Sequence, residues 1–272
     1  MTAVTAAASD LRGDRGTSSF LVGVALATRS IVNVFRVPGA FVPILVMPIF
    51  FLLSFSGSFS GLSGDAGIVP TSNMLNWVAP YAIVQGAAFA GMGTAFAVAR
   101  DLEDGFYDRF LLAPSPRRAL LIGPVLAALV RAVLPVFIVL GAAFAGGARF
   151  TDGVAGMVTL LVACEGVATV SALWGLGIAL RFKSQRSLGL VQVVIFAAMF
   201  LSSAQVPVAR ISGWVHPLAR LNPVSNILRL SREGFLPGGV TWHDTYGGLL
   251  ALAVLTVLLG WFSIRGLQRL VE

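Results

Sequence analysis

The sequence predicts an all-α membrane protein with six transmembrane helices, an N-terminal interfacial helix, a cytosolic helical insert and short outer helices before the last span. Three observations carry that prediction. The 272 residues are 57% hydrophobic and only 11% charged, with a mean hydropathy of +0.87, which leaves too little polar surface to cover a water-soluble globule. The apolar residues gather in six long stretches, near the roughly 20 residues that a hydrocarbon core of about 30 Å requires of a helix. A short charged segment, Arg100 to Pro114, separates the second stretch from the third and must meet something outside the bilayer. One membrane domain over residues 17–272 follows, preceded by a flexible cytosolic tail at 1–16.

Residues 17–37 read as the interfacial helix, because Phe20, Val24, Ala27, Ile31 and Val34 share a face while Arg29 and Arg36 fall on a more polar side. Pro38 ends it. Span one occupies about 39–56, where Pro43 and Pro48 are tolerable since neighbouring helices can satisfy the freed carbonyls. A Gly/Ser-rich loop, Ser56 to Asn76, leads to Trp77 and Tyr81, placed like aromatic anchors at headgroup level. Span two follows at about 80–99, span three at 119–145, span four at 153–180 and span five at 188–204. The segment Gln205 to Thr245 is not apolar enough to cross. It holds Trp214, Leu218, Leu221, Ile227, Leu228 and Leu230 at near-helical spacing, which predicts short helices at the outer surface, and span six runs from 246 to 264.

Charge sets the expected orientation. With a cytosolic N-terminus, the inner segments hold Arg12, Arg15, Arg29, Arg36, Arg100, Arg109, Arg117, Arg118, Arg181, Lys183, Arg186, Arg265 and Arg269, thirteen in all. The outer ones hold five, Arg149, Arg210, Arg220, Arg229 and Arg232. The positive-inside rule therefore places both termini in the cytosol of a multi-pass plasma-membrane protein. The net charge of +7 does not point to nucleic acid, since the arginines sit singly or in pairs at span ends and form no basic face interleaved with exposed aromatics. Cys164, the only cysteine, excludes an internal disulfide, and no removable signal peptide is legible.

Enzymatic chemistry finds little support. Lys183 is the only lysine, and Gly177 to Ser184 resembles a phosphate loop except that Phe182 stands where the second glycine must be, after an apolar span rather than a strand. His216 and His243 lack metal-ligand spacing, so neither a catalytic nor a metal site is expected. Arg131 and Glu165 lie inside spans three and four at similar depth, where each would be costly alone, and an intramembrane ion pair is the expected solution. In the insert, Asp101, Glu103 and Asp104 would favour the N-terminus of a short helix through its dipole. Phe106, Phe110 and Leu111 give that helix an apolar side, and Pro114 and Pro116 stop it.

The spacing Asp101, Gly105, Asp108, Phe110, Pro114, with Arg117-Arg118 leading into span three, resembles the ABC-2 type exporter permeases and, within them, the daunorubicin-resistance-like group. Ser202-Ser203, Pro207, Trp214, Leu221-Asn222-Pro223-Val224 and Arg229 resemble the same family's link between its fifth and sixth spans. The resemblance covers about Ser18 to Leu270. It implies a dimer of permeases, with a second copy or a paralogue, each resting a coupling helix on a separate ATP-binding cassette ATPase. This chain would then need no cofactor, with ATP and Mg on the partner subunit. The implied ATPase-facing residues are Asp101, Glu103, Gly105, Phe106, Asp108, Arg109, Phe110 and Pro114. Spans two and five are implied to face the dimer axis and the substrate path, offering Gln85, Phe89, Met92, Gln192, Phe196, Met199 and Phe200.

The expected function is therefore export of drugs, antibiotics or other small amphipathic molecules across a lipid membrane. Lipid or glycolipid export by the same family is the alternative, and an ion-gradient carrier using Arg131 and Glu165 a more distant one.

Overall fold

The computed structural model describes residues 15–36, 41–63, 68–112 and 117–271. Most of the expected tail at 1–16, together with Pro38, Pro114 and Pro116, lies outside them. Ten α-helices are formed among the described residues: α1 (Arg15–Arg36), α2 (Phe41–Ser58), α3 (Met74–Glu103), α4 (Phe106–Leu112), α5 (Ala119–Ala145), α6 (Gly153–Phe182), α7 (Leu188–Phe200), α8 (Val215–Leu221), α9 (Pro223–Arg232) and α10 (Trp242–Val271). Four of them, α3, α5, α6 and α10, are long and apolar enough to cross a membrane. The apolar stretches at α2 and at α7 with the turn before it are shorter, Leu45–Ser58 and Gln185–Phe200.

Local chemistry explains where the helices begin and end. α3 starts well before Pro80 because the Asn73 side chain accepts from Leu75 N at 3.0 Å, while its amide donates to Gly147 O at 2.9 Å. α7 stops at Phe200 because Asn222 donates across to the carbonyls of Ala198 and Leu201, satisfying acceptors that a helix end leaves open. The same Asn222 accepts from Val224 N at 2.9 Å, and Pro223 then opens α9 at a position where a missing N–H does no harm.

α3 is the central helix, with nearly every side chain from Trp77 to Ala90 buried. Small residues permit this. A Cβ on Gly91 would lie 2.3 Å from the Ala168 carbonyl oxygen of α6, and one on Gly86 would lie 2.6 Å from Pro135 of α5. Without a hydrophobic drive between helices in lipid, such close approach is a main source of association. α10 packs on the far side of α6 and leaves Val254, Val257 and Leu258 exposed. Trp77 and Tyr81, expected at the headgroup level, are instead 5% and 0% exposed. The rings lie inside the protein because Arg232 of α9 covers Trp77 and the Phe51 and Phe55 rings of α2 pack against Tyr81.

α1 runs beside α5. Gly23 meets Ile122, Leu26 meets Gly123, and Ser30 meets Arg131, so the two helices ascend together over about two turns. The two ends of the bundle differ. At one, Tyr107, Val98, Leu120, Leu176, Leu180 and Leu267 form a small cluster joining α3, α4, α5, α6 and α10. At the other, the link between α5 and α6 is fastened to the residues after α9, through Thr151 N to Gly234 O at 2.8 Å and Val240 N to Asp152 at 2.7 Å.

Candidate functional site

The polar insert is divided by the fold in a way that its sequence does not announce. Asp101 and Glu103 close α3, and a turn at Asp104-Gly105, with Gly105 at φ +69°, leads into α4. The helix dipole therefore disfavours these two carboxylates rather than stabilising them, a correction to the reading of all three acids as a helix start. Each is compensated by a specific partner. Arg29 of α1 grips Asp101 with two parallel bonds of 2.9 and 3.0 Å and lies 3.9 Å above the Phe106 ring. Glu103 accepts from the backbone and the side chain of Gln185, tying the end of α3 to the link between α6 and α7.

α4 itself is anchored by Tyr107, which is 3% exposed. Burial pushes its hydroxyl well above the usual phenol range, so it stays un-ionised. Phe106 and Phe110 pack against the same cluster, with ring centroids 6.4 Å apart. The opposite side presents Asp104, Asp108 and Arg109 to the surroundings, and Leu112 is 89% exposed. Pro114 lies outside the described residues. The sequence placed Arg29 only on the polar side of the interfacial helix and did not mark Tyr107 or Gln185. Tyr107 carries the helix only because residues of four other helices, α3, α5, α6 and α10, gather in its cluster.

The Arg29 clamp should be measurable. Arg29→Ala is expected to cost about 1–2 kcal/mol, from a partly exposed bidentate ion pair and one cation–π contact. Arg29→Lys should recover less than half of that, since an ammonium cannot bond the carboxylate in fork geometry. Thermal unfolding of the solubilised chain reads both.

Of the residues assigned to a substrate path, three come together. Phe89 of α3 lies 5.3 Å from Phe196 of α7, and Phe196 lies 6.2 Å from Phe200. α2 extends this row through Phe51 and Phe55, whose centroids are 5.6 and 6.5 Å from that of Phe200, and Phe55 stacks on Tyr81 at 6.1 Å. Gln85 donates weakly to the Tyr81 hydroxyl at 3.4 Å, and its Oε1 is buried without a partner. Met92 and Met199 are buried, whereas Gln192 is half-buried one turn from Phe196. Beside this row, α2 exposes Phe50 and Leu53, and α7 exposes Leu190, Val193 and Val194. The contribution of α2 was unread because its apolar run shows no preferred face.

Arg131 and Glu165 do not pair. Arg131 donates to the Ser30 carbonyl at 2.6 Å and approaches Thr94 Oγ1 at 3.5 Å, while Glu165 Oε2 is buried without a hydrogen-bond partner. Arg131 lies level with Thr94, where α3 meets α6 at Gly175 and not at Glu165, and α1, travelling along α5, brings the Ser30 carbonyl to it instead. The charge that organises the opposite end of the bundle is Arg232. It is 2% exposed, sits 3.7 Å over the Trp77 ring, and donates to the carbonyls of Trp77, Ser203 and Ala204 at 3.0, 2.7 and 2.8 Å.

Residues 23–236 match the family described as ABC-2 type transporter. The chain is 27% identical over 232 residues to "Daunorubicin resistance ABC transporter permease protein DrrB1" of Streptomyces coeruleorubidus, covering 82% of this chain and 80% of that one. It is also 27% identical over 222 residues to "Probable doxorubicin resistance ABC transporter permease protein DrrC" of Mycobacterium tuberculosis (strain CDC 1551 / Oshkosh), covering 79% and 76%. Long apolar helices around a polar helical insert thus coincide with a family match over most of the sequence, and the chain belongs to the ABC-2 type transporter family.

Proposed function

We propose that this chain is the permease of an ATP-binding cassette exporter that carries drugs, antibiotics or other amphipathic molecules out of the cell, with ATP and Mg bound by a separate ATPase subunit. The observation that carries the reading is α4. It is locked to the bundle on one side by Tyr107 and by Arg29, which lies over the Phe106 ring, and it turns Asp108, Arg109 and a nearly bare Leu112 outward. An apolar side chain held out next to charges on a rigid helix suits a partner's groove. A push on α4 would reach α1 through the Arg29–Phe106 contact and, through the turn at Gly105, the end of α3, where Asp101 holds Arg29 and Glu103 holds the α6–α7 link, moving elements as rigid bodies.

In this reading α2 and α7 complete six spans, α1 rides at the inner leaflet, and both termini face the cytosol. Two permeases meet across the exposed faces of α2 and α7, and cargo passes along Gln85, Phe89, Met92, Gln192, Phe196, Met199 and Phe200. Aromatic rings, thioethers and isolated amides suit flat amphipathic molecules better than ions.

The test is ATP hydrolysis by the chain in nanodiscs with the ATP-binding cassette protein encoded nearest to it. Leu112→Asp should lower permease-stimulated hydrolysis about tenfold, the scale of one lost anchoring contact at an interface, while leaving thermal stability unchanged because the side chain is already exposed. Hydrolysis unaffected by Leu112→Asp and by a further Arg109→Glu change would remove α4 from the coupling role.

A further inference from the structure

Glu165 is an acid in the middle of a long apolar helix, and among the described residues nothing answers its charge. It lies about 18 Å from the Gly153 end of α6 and about 26 Å from the Phe182 end, at about 1.5 Å per residue. The ion pairs Arg29–Asp101 and Arg229–Asp244 do not include it. Cations on the neighbouring helices are committed elsewhere: Arg131 of α5 is held by Ser30, Arg232 of α9 by three carbonyls, and Arg265 of α10 lies over the Trp261 ring. Arg181 of α6 itself lies over Phe262. Thr169 donates its hydroxyl to the Glu165 backbone carbonyl at 2.8 Å, which leaves the carboxyl alone. The two carboxyl oxygens differ. Oε2 is enclosed without a hydrogen-bond partner, whereas Oε1 is not enclosed, and the side chain is half-buried. Val158 and Val162, seven and three residues earlier on the same face of α6, are both exposed. That outward apolar face therefore offers one reachable carboxyl oxygen at mid-helix.

We propose that Glu165 is a recognition point for a lipophilic organic cation that reaches it through the bilayer. An ionised carboxylate left alone in hydrocarbon is costly, and a cation brought to it gains an attraction that hydrocarbon barely screens. A metal ion does not fit, because one reachable oxygen in an apolar wall cannot replace a hydration shell that takes six or more oxygens. A neutral molecule leaves the charge unanswered. Val158 and Val162 supply contact for the apolar body of the ligand, and no enclosed pocket is required, because lipid already surrounds it. Glu165 stands on α6, whereas the aromatic row runs along α2, α3 and α7, so this is a separate point of recognition. Its meaning for cargo rests on the permease reading: among amphipathic molecules it favours those that carry positive charge.

The probe is dicyclohexylcarbodiimide, which dissolves in lipid and couples to carboxyls reached from there, applied to the full-length chain in phosphatidylcholine nanodiscs with adducts located by mass spectrometry. An adduct is expected at Glu165. Tetraphenylphosphonium at about ten times its Kd should lower the yield about tenfold by occupying the site. Tetraphenylsilane, neutral and of the same shape, should leave it unchanged. Binding of radiolabelled tetraphenylphosphonium, with empty nanodiscs subtracted, should weaken about tenfold in Glu165→Gln, the scale of one lost charged contact. The protection experiment uses the wild type alone, so it holds whether or not the variant folds. No adduct at Glu165, an adduct that the two compounds affect equally, or equal cation binding by the wild type and a folded Glu165→Gln overturns the proposal. No ATPase is present in either experiment, so failure here and failure of the permease reading are separate results.

Discussion

Arg232→Ala is expected to loosen the whole end of the molecule formed by α8, α9 and the segment joining them to α7. The guanidinium satisfies three carbonyls from two separate parts of the chain, Trp77 on one side and Ser203 and Ala204 on the other, while stacking on the Trp77 ring. Alanine would leave those acceptors in a dry interior, at about 1–3 kcal/mol for a stranded buried group, and would forfeit a desolvated cation–π contact of about 2 kcal/mol. A total of about 3–5 kcal/mol should lower the melting temperature by roughly 6–15 °C. Arg232→Lys should recover less than half, because three carbonyls in different directions need the planar fork. Limited proteolysis should cut between residues 205 and 241 in the alanine variant first. A melting temperature within a few degrees of the wild type would show that the carbonyls find other partners.

Gly91→Val should be comparably severe at the centre of the bundle. A Cβ there would meet the Ala168 carbonyl oxygen at 2.3 Å and the Ala172 nitrogen at 3.0 Å. Both are backbone atoms of α6, so no rotamer can relieve the contact and α3 and α6 must separate. Overpacking of this kind costs about 3 kcal/mol or more, and in lipid it removes the close approach on which helix association depends. The readout is the folded fraction after solubilisation. Gly141→Ala, where nothing lies within 4 Å, is the matched control and should be neutral. Equal behaviour of the two would contradict the packing of α3 on α6.

The all-helical character and the membrane class were legible because lipid enforces a local rule: a helix in hydrocarbon needs an unbroken apolar run, and α3, α5, α6 and α10 display one. The family resemblance was legible too, since spaced residues such as Asp101, Gly105, Asp108 and Phe110 are read along the chain without knowledge of contacts. What a side chain faces is a different question. Trp77 and Tyr81 have the composition of headgroup anchors, and only Arg232 of α9 over Trp77 and the Phe51 and Phe55 rings of α2 against Tyr81 make them interior residues. Arg131 and Glu165 were expected at one depth, but Arg131 lies level with Thr94, where α3 meets α6 at Gly175 rather than at Glu165, and α1 supplies its acceptor. Asp101 reads as a helix start until the turn at Gly105 shows it to be a helix end.

The sequence by itself thus determined the solvent, the helices and the family, all properties set by neighbours in the chain. The tertiary structure alone decided the partners of the charges. A buried arginine takes whichever acceptor the packing brings within about 3 Å, and for Arg131 and Arg232 those acceptors are backbone carbonyls, which every residue carries and no sequence pattern marks.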